Sequence, residues 1–137
     1  MKRVFLDTNV IIDFILEREG VDDVADILQL GEDGKIELVV SFLTMANTAY
    51  IARKGHTQGQ LYGIMADLSA MLRTLSMDEK QLRQALEQPV TDLEDMLQYQ
   101  CAKANQCDVI VTRNTKHFAF SEIPVLTPAD FLGRGEV

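Results

Sequence analysis

Three aspartates carry the chemistry this sequence offers most plainly. Asp7 closes the apolar run Val4-Phe5-Leu6, and Asp92 and Asp95 lie three positions apart where a helix is expected to begin. That spacing puts Asp92 and Asp95 on one face of a first helical turn and turns Glu94 away from them. Carboxylates gathered in this way repel one another unless a hard cation sits among them, and Mg2+ or Mn2+ takes such oxygen ligands. A divalent ion so held activates water and stabilises charge on a phosphodiester, a route to nucleic-acid hydrolysis without a histidine or cysteine nucleophile. Asp7 and Asp95 are the expected ligands and Asp92 a third candidate. Asn47, Thr112 and Asn114 are placed to hold water or to orient the carboxylates.

Those residues need a scaffold that brings distant segments together. Lys2 to Leu6 reads as a strand covered on both faces, and Thr8 or Asn9 is placed to cap a following helix with Val10, Ile11, Phe14 and Ile15 at helical spacing. A helix over 21–30, ending in the Gly31 to Gly34 stretch, precedes a second strand over 36–40. Ser41 is a cap for a helix to about Ile51, and Gly55 separates it from another over 58–72. Thr74 to Ser76 is a weak strand, followed by a helix over 78–87. Thr91-Asp92-Leu93-Glu94 has the form of a capping box for a helix over 92–105. Asp108 to Thr112 is the strongest strand pattern, Pro124 to Leu126 a short last one, and Pro128 to Leu132 a terminal helical turn. Alternating strands and helices predict a three-layer α/β/α domain over 1–137 with a mostly parallel central sheet. In such sheets the reactive crevice lies beyond the carboxyl ends of the strands, where Asp7, Ser41 and Thr112 fall.

Composition narrows the setting. Apolar residues make up 47% of the 137 and charged residues 25%, the balance of a globular protein. The apolar runs fall far short of the ~20 residues that span a bilayer, and Asp7 interrupts any leader-like opening, so a cytoplasmic location without membrane contact is expected. Cys101 and Cys107 have neither metal-ligand spacing nor a disulfide framework. A net charge of −8 argues against indiscriminate nucleic-acid binding and requires any such substrate to be met locally. Arg53, Lys54, Arg113 and Lys116 are the basic residues near helix or strand ends that can meet phosphates.

The run Val4-Phe5-Leu6-Asp7-Thr8-Asn9-Val10-Ile11-Ile12-Asp13 resembles the opening motif of PIN domains, with Asp7 at the position of their first catalytic aspartate. Ser41 to Asn47, Asp92 to Gln98 continuing to Ala102, and Val109 to Asn114 with Phe118 are similar to the family's later motifs in order and spacing. The ending Ile123 to Pro128 with Phe131-Leu132 extends the likeness over nearly the whole chain. The resemblance implies a Mg2+- or Mn2+-dependent endoribonuclease, most often a VapC-like toxin that cleaves RNA, dimerises and is inhibited by an antitoxin protein. Asn47 stands where the family usually has glutamate, and Asn114 and His117 where an aspartate is often found. An amide cannot supply a carboxylate's charge, so a metal there is bound more weakly or by a shifted set that includes Asp92.

Each residue also has a structural reading. Asp7 suits a helix cap, Asp92 and Asp95 the positive end of a helix dipole, and Glu94 the capping box with Thr91. Asp13 reads as a helix-surface charge, and Asn47, Thr44 and Thr48 as the wet face of an amphipathic helix. His56 and His117 read as surface residues. The rival functions are a PIN-like module that binds RNA or protein without catalysis, and an aspartyl phosphotransferase. The latter is disfavoured because Asn9 stands where a second aspartate is expected two residues after the first.

Overall fold

The computed structural model describes residues 1–89 and 91–135. The sheet contains β1 (Lys2–Leu6), β2 (Ile36–Ser41), β3 (Arg73–Leu75), β4 (Val109–Val111) and β5 (Val125–Leu126), in the order β3-β2-β1-β4-β5 with every neighbouring pair parallel. The sheet is thus wholly parallel among the described residues. Around it pack α1 (Thr8–Ile15), α2 (Val21–Glu32), α3 (Phe42–Ala52), α4 (Gln58–Met71), α5 (Glu79–Leu86), α6 (Leu93–Ala104) and α7 (Pro128–Gly133), with a 3-10 turn over Thr115–Phe118.

Strand periodicity divides the core between the two sheet faces. Val4, Leu6, Leu38, Val40, Val109 and Val111 meet apolar residues of α1, α2, α4 and α7 on one face. Phe5, Val39 and Ile110 meet Ala85 of α5, Met96 and Tyr99 of α6, and Phe118 on the other. Full burial on both faces explains why these strands read as continuous apolar runs and not as alternation. The α2 helix runs on through Gly31 to Glu32, past the expected stop. A Cβ at Gly31 would come within 2.5 Å of the Leu38 side chain, so glycine there permits the close approach of α2 to β2.

Strand order creates the crevice. The chain steps from β1 to β2 to β3 in one direction, then crosses to the far side of β1 to lay down β4. The point where the order reverses lies between β1 and β4, and ligand sites of open parallel sheets form there. Asp7 leaves β1 at that point with its backbone N–H bonded to the Val111 carbonyl (3.0 Å), and Thr112 leaves β4 beside it.

Asp13 is not the surface charge its position on α1 implied. It is buried, and its carboxylate accepts two hydrogen bonds from the Arg113 guanidinium (2.7 and 3.0 Å), with Arg18 at 3.7 Å. Burial of a carboxylate is tolerable only with such a partner. Arg113 thereby anchors the segment after β4 to α1.

Candidate functional site: a carboxylate crevice at the β1–β4 switch point

Asp7 itself, and neither Thr8 nor Asn9, is the N-cap of α1. Its Oδ1 accepts from the Thr8 N–H (2.8 Å), which satisfies one of the unpaired donors of the first turn. Its Oδ2 accepts from the Thr112 hydroxyl (2.9 Å). Thr112 is fully buried and fully used, since its oxygen also accepts from the Asn9 amide (3.3 Å) and the Asn114 N–H (3.2 Å). Burial pushes the Asp7 carboxyl above its ordinary range. The Thr112 and Thr8 hydrogen bonds, the His117 charge and the weak Gln98 contact only partly oppose that rise.

The start of α6 supplies the other acids. Asp92 is its N-cap, with Oδ1 accepting from the N–H groups of Glu94 (2.9 Å) and Asp95 (3.3 Å). Thr91 does not cap; its hydroxyl donates to the His117 carbonyl (3.2 Å) and ties this turn to the 3-10 turn. The expected capping box therefore does not form, because the adjacent Asp92 reaches the same donors with a charged oxygen. Glu94 is freed by this, and its Oε1 accepts from the Asn47 amide of α3 at 2.8 Å.

Electrostatics show which acids are gathered. Burial first, then the charges of Asp7, Asp92 and Glu94, raise the Asp95 carboxyl to about 6, with His117 opposing. The His117 Nδ1 lies 3.5 Å from the Asp95 Oδ2. Burial, Asp92 and Asp7 likewise push Glu94 upward. Asp7 and Asp95 thus lie within electrostatic reach of each other across the crevice, with Glu94 as a third member. Asn114 is exposed and touches the cluster through its backbone, while the Asn47 side chain holds Glu94 in place.

Behind the acids lies a network of buried hydroxyls organised by Gln98, which sequence reasoning passed over. Its Nε2 donates to the hydroxyl oxygens of Thr8 (2.8 Å) and Thr44 (2.7 Å) and weakly to Asp7 Oδ1 (3.5 Å). Its Oε1 accepts from Ser41 (2.5 Å). Gln98 lies three residues after Asp95, so its helical phase relative to that acid was the available signal. Replacing Gln98 by leucine removes a partner from the buried hydroxyls of Ser41 and Thr44 and the half-buried one of Thr8, which then keep only one another. The expected cost is about 2 kcal/mol, and a circular-dichroism melt should fall by roughly 5 °C.

Comparison with known proteins gives this constellation its context. The family model described as the PIN domain matches residues 3–116. This chain belongs to the PIN domain family. It is 29% identical over 143 residues to "Ribonuclease VapC1" of Aquifex aeolicus (strain VF5), an alignment covering 97% of this chain and 95% of that protein. Among solved structures, the chain superposes on VapBC2 from Rickettsia felis bound to a promoter DNA fragment with a TM-score of 0.68 at 21% identity. That match covers 90% of this chain and 96% of the other. It superposes on VapBC-1 from nontypeable Haemophilus influenzae with a TM-score of 0.68 at 20% identity, covering 93% and 98%. A toxin-antitoxin complex from Klebsiella pneumoniae gives 0.65 at 20%, covering 91% and 97%. These likenesses establish the α/β/α PIN fold.

The PIN-domain site lacks a preformed cage: among the described residues no three His, Cys, Asp or Glu side chains converge closely enough to enclose a metal ion. Mg2+ seldom needs one, because it keeps several waters and takes one or two carboxylates. The donor set fits that manner of binding, with hard oxygens only and mutual repulsion that a cation relieves. A groove of about 790 Å3 between α3 and α4, lined by Phe42, Met45, Ala49, Tyr62 and Met65, is apolar and lies apart from these acids. The cysteines stand aside too: burial pushes Cys101 up to about 11 and Cys107 to about 12, so both are inert thiols at neutral pH. No helix among the described residues is long and apolar enough to cross a membrane.

Proposed function

We propose that this PIN domain is a Mg2+- or Mn2+-dependent endoribonuclease, acting as the toxin of a toxin–antitoxin pair, with Asp7 and Asp95 as metal ligands. The observation that carries the reading is the placement of Asp7 at a topological switch point within electrostatic reach of Asp95 and Glu94, whose carboxyls are pushed upward by burial first and then by the charges of Asp7 and Asp92, a penalty that a cation relieves. Glu94 also answers the loss of an acid at position 47, because the Asn47 amide fixes a carboxylate from the neighbouring helix.

Mg2+ or Mn2+ bound there supplies Lewis-acid polarisation of the phosphodiester and activation of water. The chain's part is positioning. Thr8 and Thr112 hold one lone pair on each Asp7 oxygen and Gln98 leans weakly on Oδ1, which leaves Oδ2 the freer oxygen for a cation. Asp92 caps α6 through Oδ1 and shapes the field by its charge, which leaves its other oxygen as a third candidate for the cation, while Thr112 orients Asp7. The printed names of the relatives, a ribonuclease and toxin-antitoxin complexes, support an RNA substrate and an antitoxin partner. A cytoplasmic location follows from that assignment.

Incubation of the purified chain with single-stranded RNA tests the reading. Cleavage is expected with Mn2+ and should stop with EDTA; cleavage indifferent to EDTA, or none with any divalent metal, contradicts it. The alternative of a binding module without catalysis draws on the amides at 47 and 114, and predicts RNA retention without cleavage.

A further inference from the structure

The carboxylate site explains how a phosphodiester is attacked and leaves open how a chain of charge −8 retains a polyanion. The charge is unevenly spread. From Leu38 to Ala66 there is no acidic residue, while Arg53 and Lys54 lie within that stretch. A second acid-free stretch, from Val109 to Ser121, carries Arg113 and Lys116. These two segments flank the crevice, the first through α3 and the second through the 3-10 turn that bears His117.

The structure distinguishes among the four cations. Arg113 is bound to Asp13 and serves the fold. The Arg53 guanidinium lies over the Tyr50 ring, 4.2 Å from its centroid. Lys54 and Lys116 are exposed and form no ion pair among the described residues. On α3, half-buried Asn47 and exposed Tyr50 lie three positions apart on one face, and Lys54 follows in the turn just past the helix end; this surface begins at the site where Asn47 holds Glu94. Tyr50 is 66% exposed, so its ring is open to contact beside the crevice.

We propose that this face of α3 and the turn that follows it are a track for single-stranded RNA: an unpaired base adjoining the cleavage point stacks on Tyr50, and Lys54 takes a backbone phosphate. Arg53, held over the ring, presets the platform, and Lys116 meets the strand on the opposite side of the crevice. Base–aromatic stacking tolerates any sequence but needs an unpaired base, so the track favours unstructured RNA over duplex. Cations set in acid-free segments on both sides of the crevice also fit the overall acidity, because binding is then directed to the site. The inference rests on the nuclease reading only for the identity of the cleavage point.

The test uses the full chain carrying Asp7→Asn, which removes cleavage, and the fluorescence anisotropy of a labelled 12-nucleotide oligouridylate at several salt concentrations. In that background Tyr50→Ala should weaken binding about tenfold or more, and Tyr50→Phe should stay within about twofold because the ring remains. Lys54→Ala should weaken binding and flatten the log–log salt dependence by about 0.7, the contribution of one single-strand phosphate contact. With Asp7 restored, Tyr50→Ala and Lys54→Ala should raise KM and leave kcat within about threefold. Unchanged oligouridylate affinity in both variants overturns the track, even if the chain cleaves RNA. Loss of self-association by Tyr50→Ala with RNA affinity unchanged overturns it in favour of a protein interface. Tyr50- and Lys54-dependent binding by a chain that cleaves nothing supports the track and removes the nuclease reading.

Discussion

Asp7→Asn is expected to leave the fold intact and to lower RNA cleavage at least ~100-fold, since even outer-shell partners of bound metals contribute 10–100-fold. The substitution separates the two tasks of this side chain. Asparagine is as good an N-cap as aspartate, so the bond to the Thr8 N–H survives. The Thr112 bond does not survive with it, because the hydroxyl's lone pairs are already taken by the Asn9 amide and the Asn114 N–H and cannot accept from an amide NH2. The charge and that one hydrogen bond disappear. The charge sits in a buried position where ionisation is already disfavoured, and its removal offsets the lost bond, so the melting temperature should stay close to level. Thermal melts and an RNA cleavage assay on the same preparation read both effects. A variant that cleaves within about threefold of the parent returns Asp7 to the role of a helix cap.

Asp95→Asn should make the metal-free protein more stable and the enzyme less active. The Asp95 carboxyl is raised from 3.8 to about 6 in the folded chain. The folded state therefore binds more protons than the unfolded state between about pH 4 and 6, and stability declines as pH rises through that window. Above it the full penalty is present; below it the penalty is gone. Two pKa units correspond to about 3 kcal/mol, but the side chain is 18% exposed and shares its repulsion with Glu94 and Asp7. Screening and the favourable helix dipole at this first turn reduce the figure to about 1 kcal/mol. At pH 7.5 the variant should melt roughly 3 °C higher without metal, with the difference vanishing near pH 4. Added Mn2+ should raise the melting temperature of the parent and move the variant little. Cleavage by the parent at sub-saturating Mn2+ should fall as pH drops through about 6, as Asp95 takes up a proton. A variant that melts below the parent at pH 7.5 without metal contradicts the repulsive cluster.

Much of this arrangement was legible in the residues because each strand announces itself by a buried apolar run and ends on a polar residue. Asp7 after Leu6 and Thr112 after Val111 were found in this way, and the parallel sheet brings them side by side as expected. Failures came where two neighbouring residues compete for one structural task. Thr91 and Asp92 both suit the cap of α6, and assigning it to Thr91 consigned Glu94 to a capping box and to the wrong face. Since Asp92 takes the cap outside the helix, the helical phase that related it to Asp95 does not apply. Asp13 was misread for another reason: its partner Arg113 lies 100 positions away, and burial of an ion pair spanning the chain leaves no local trace. Gln98 fell between these cases, a polar residue within a helix whose hydroxyl partners come from α1, β2 and α3.

A crystal soaked in Mn2+ and measured at the manganese absorption edge tests the central claim most directly. The account predicts an anomalous peak at the β1–β4 switch point, within about 2.2 Å of carboxylate oxygens from both Asp7 and Asp95 with water completing the shell. A crevice left empty at saturating Mn2+, or an ion held elsewhere without either aspartate, contradicts it.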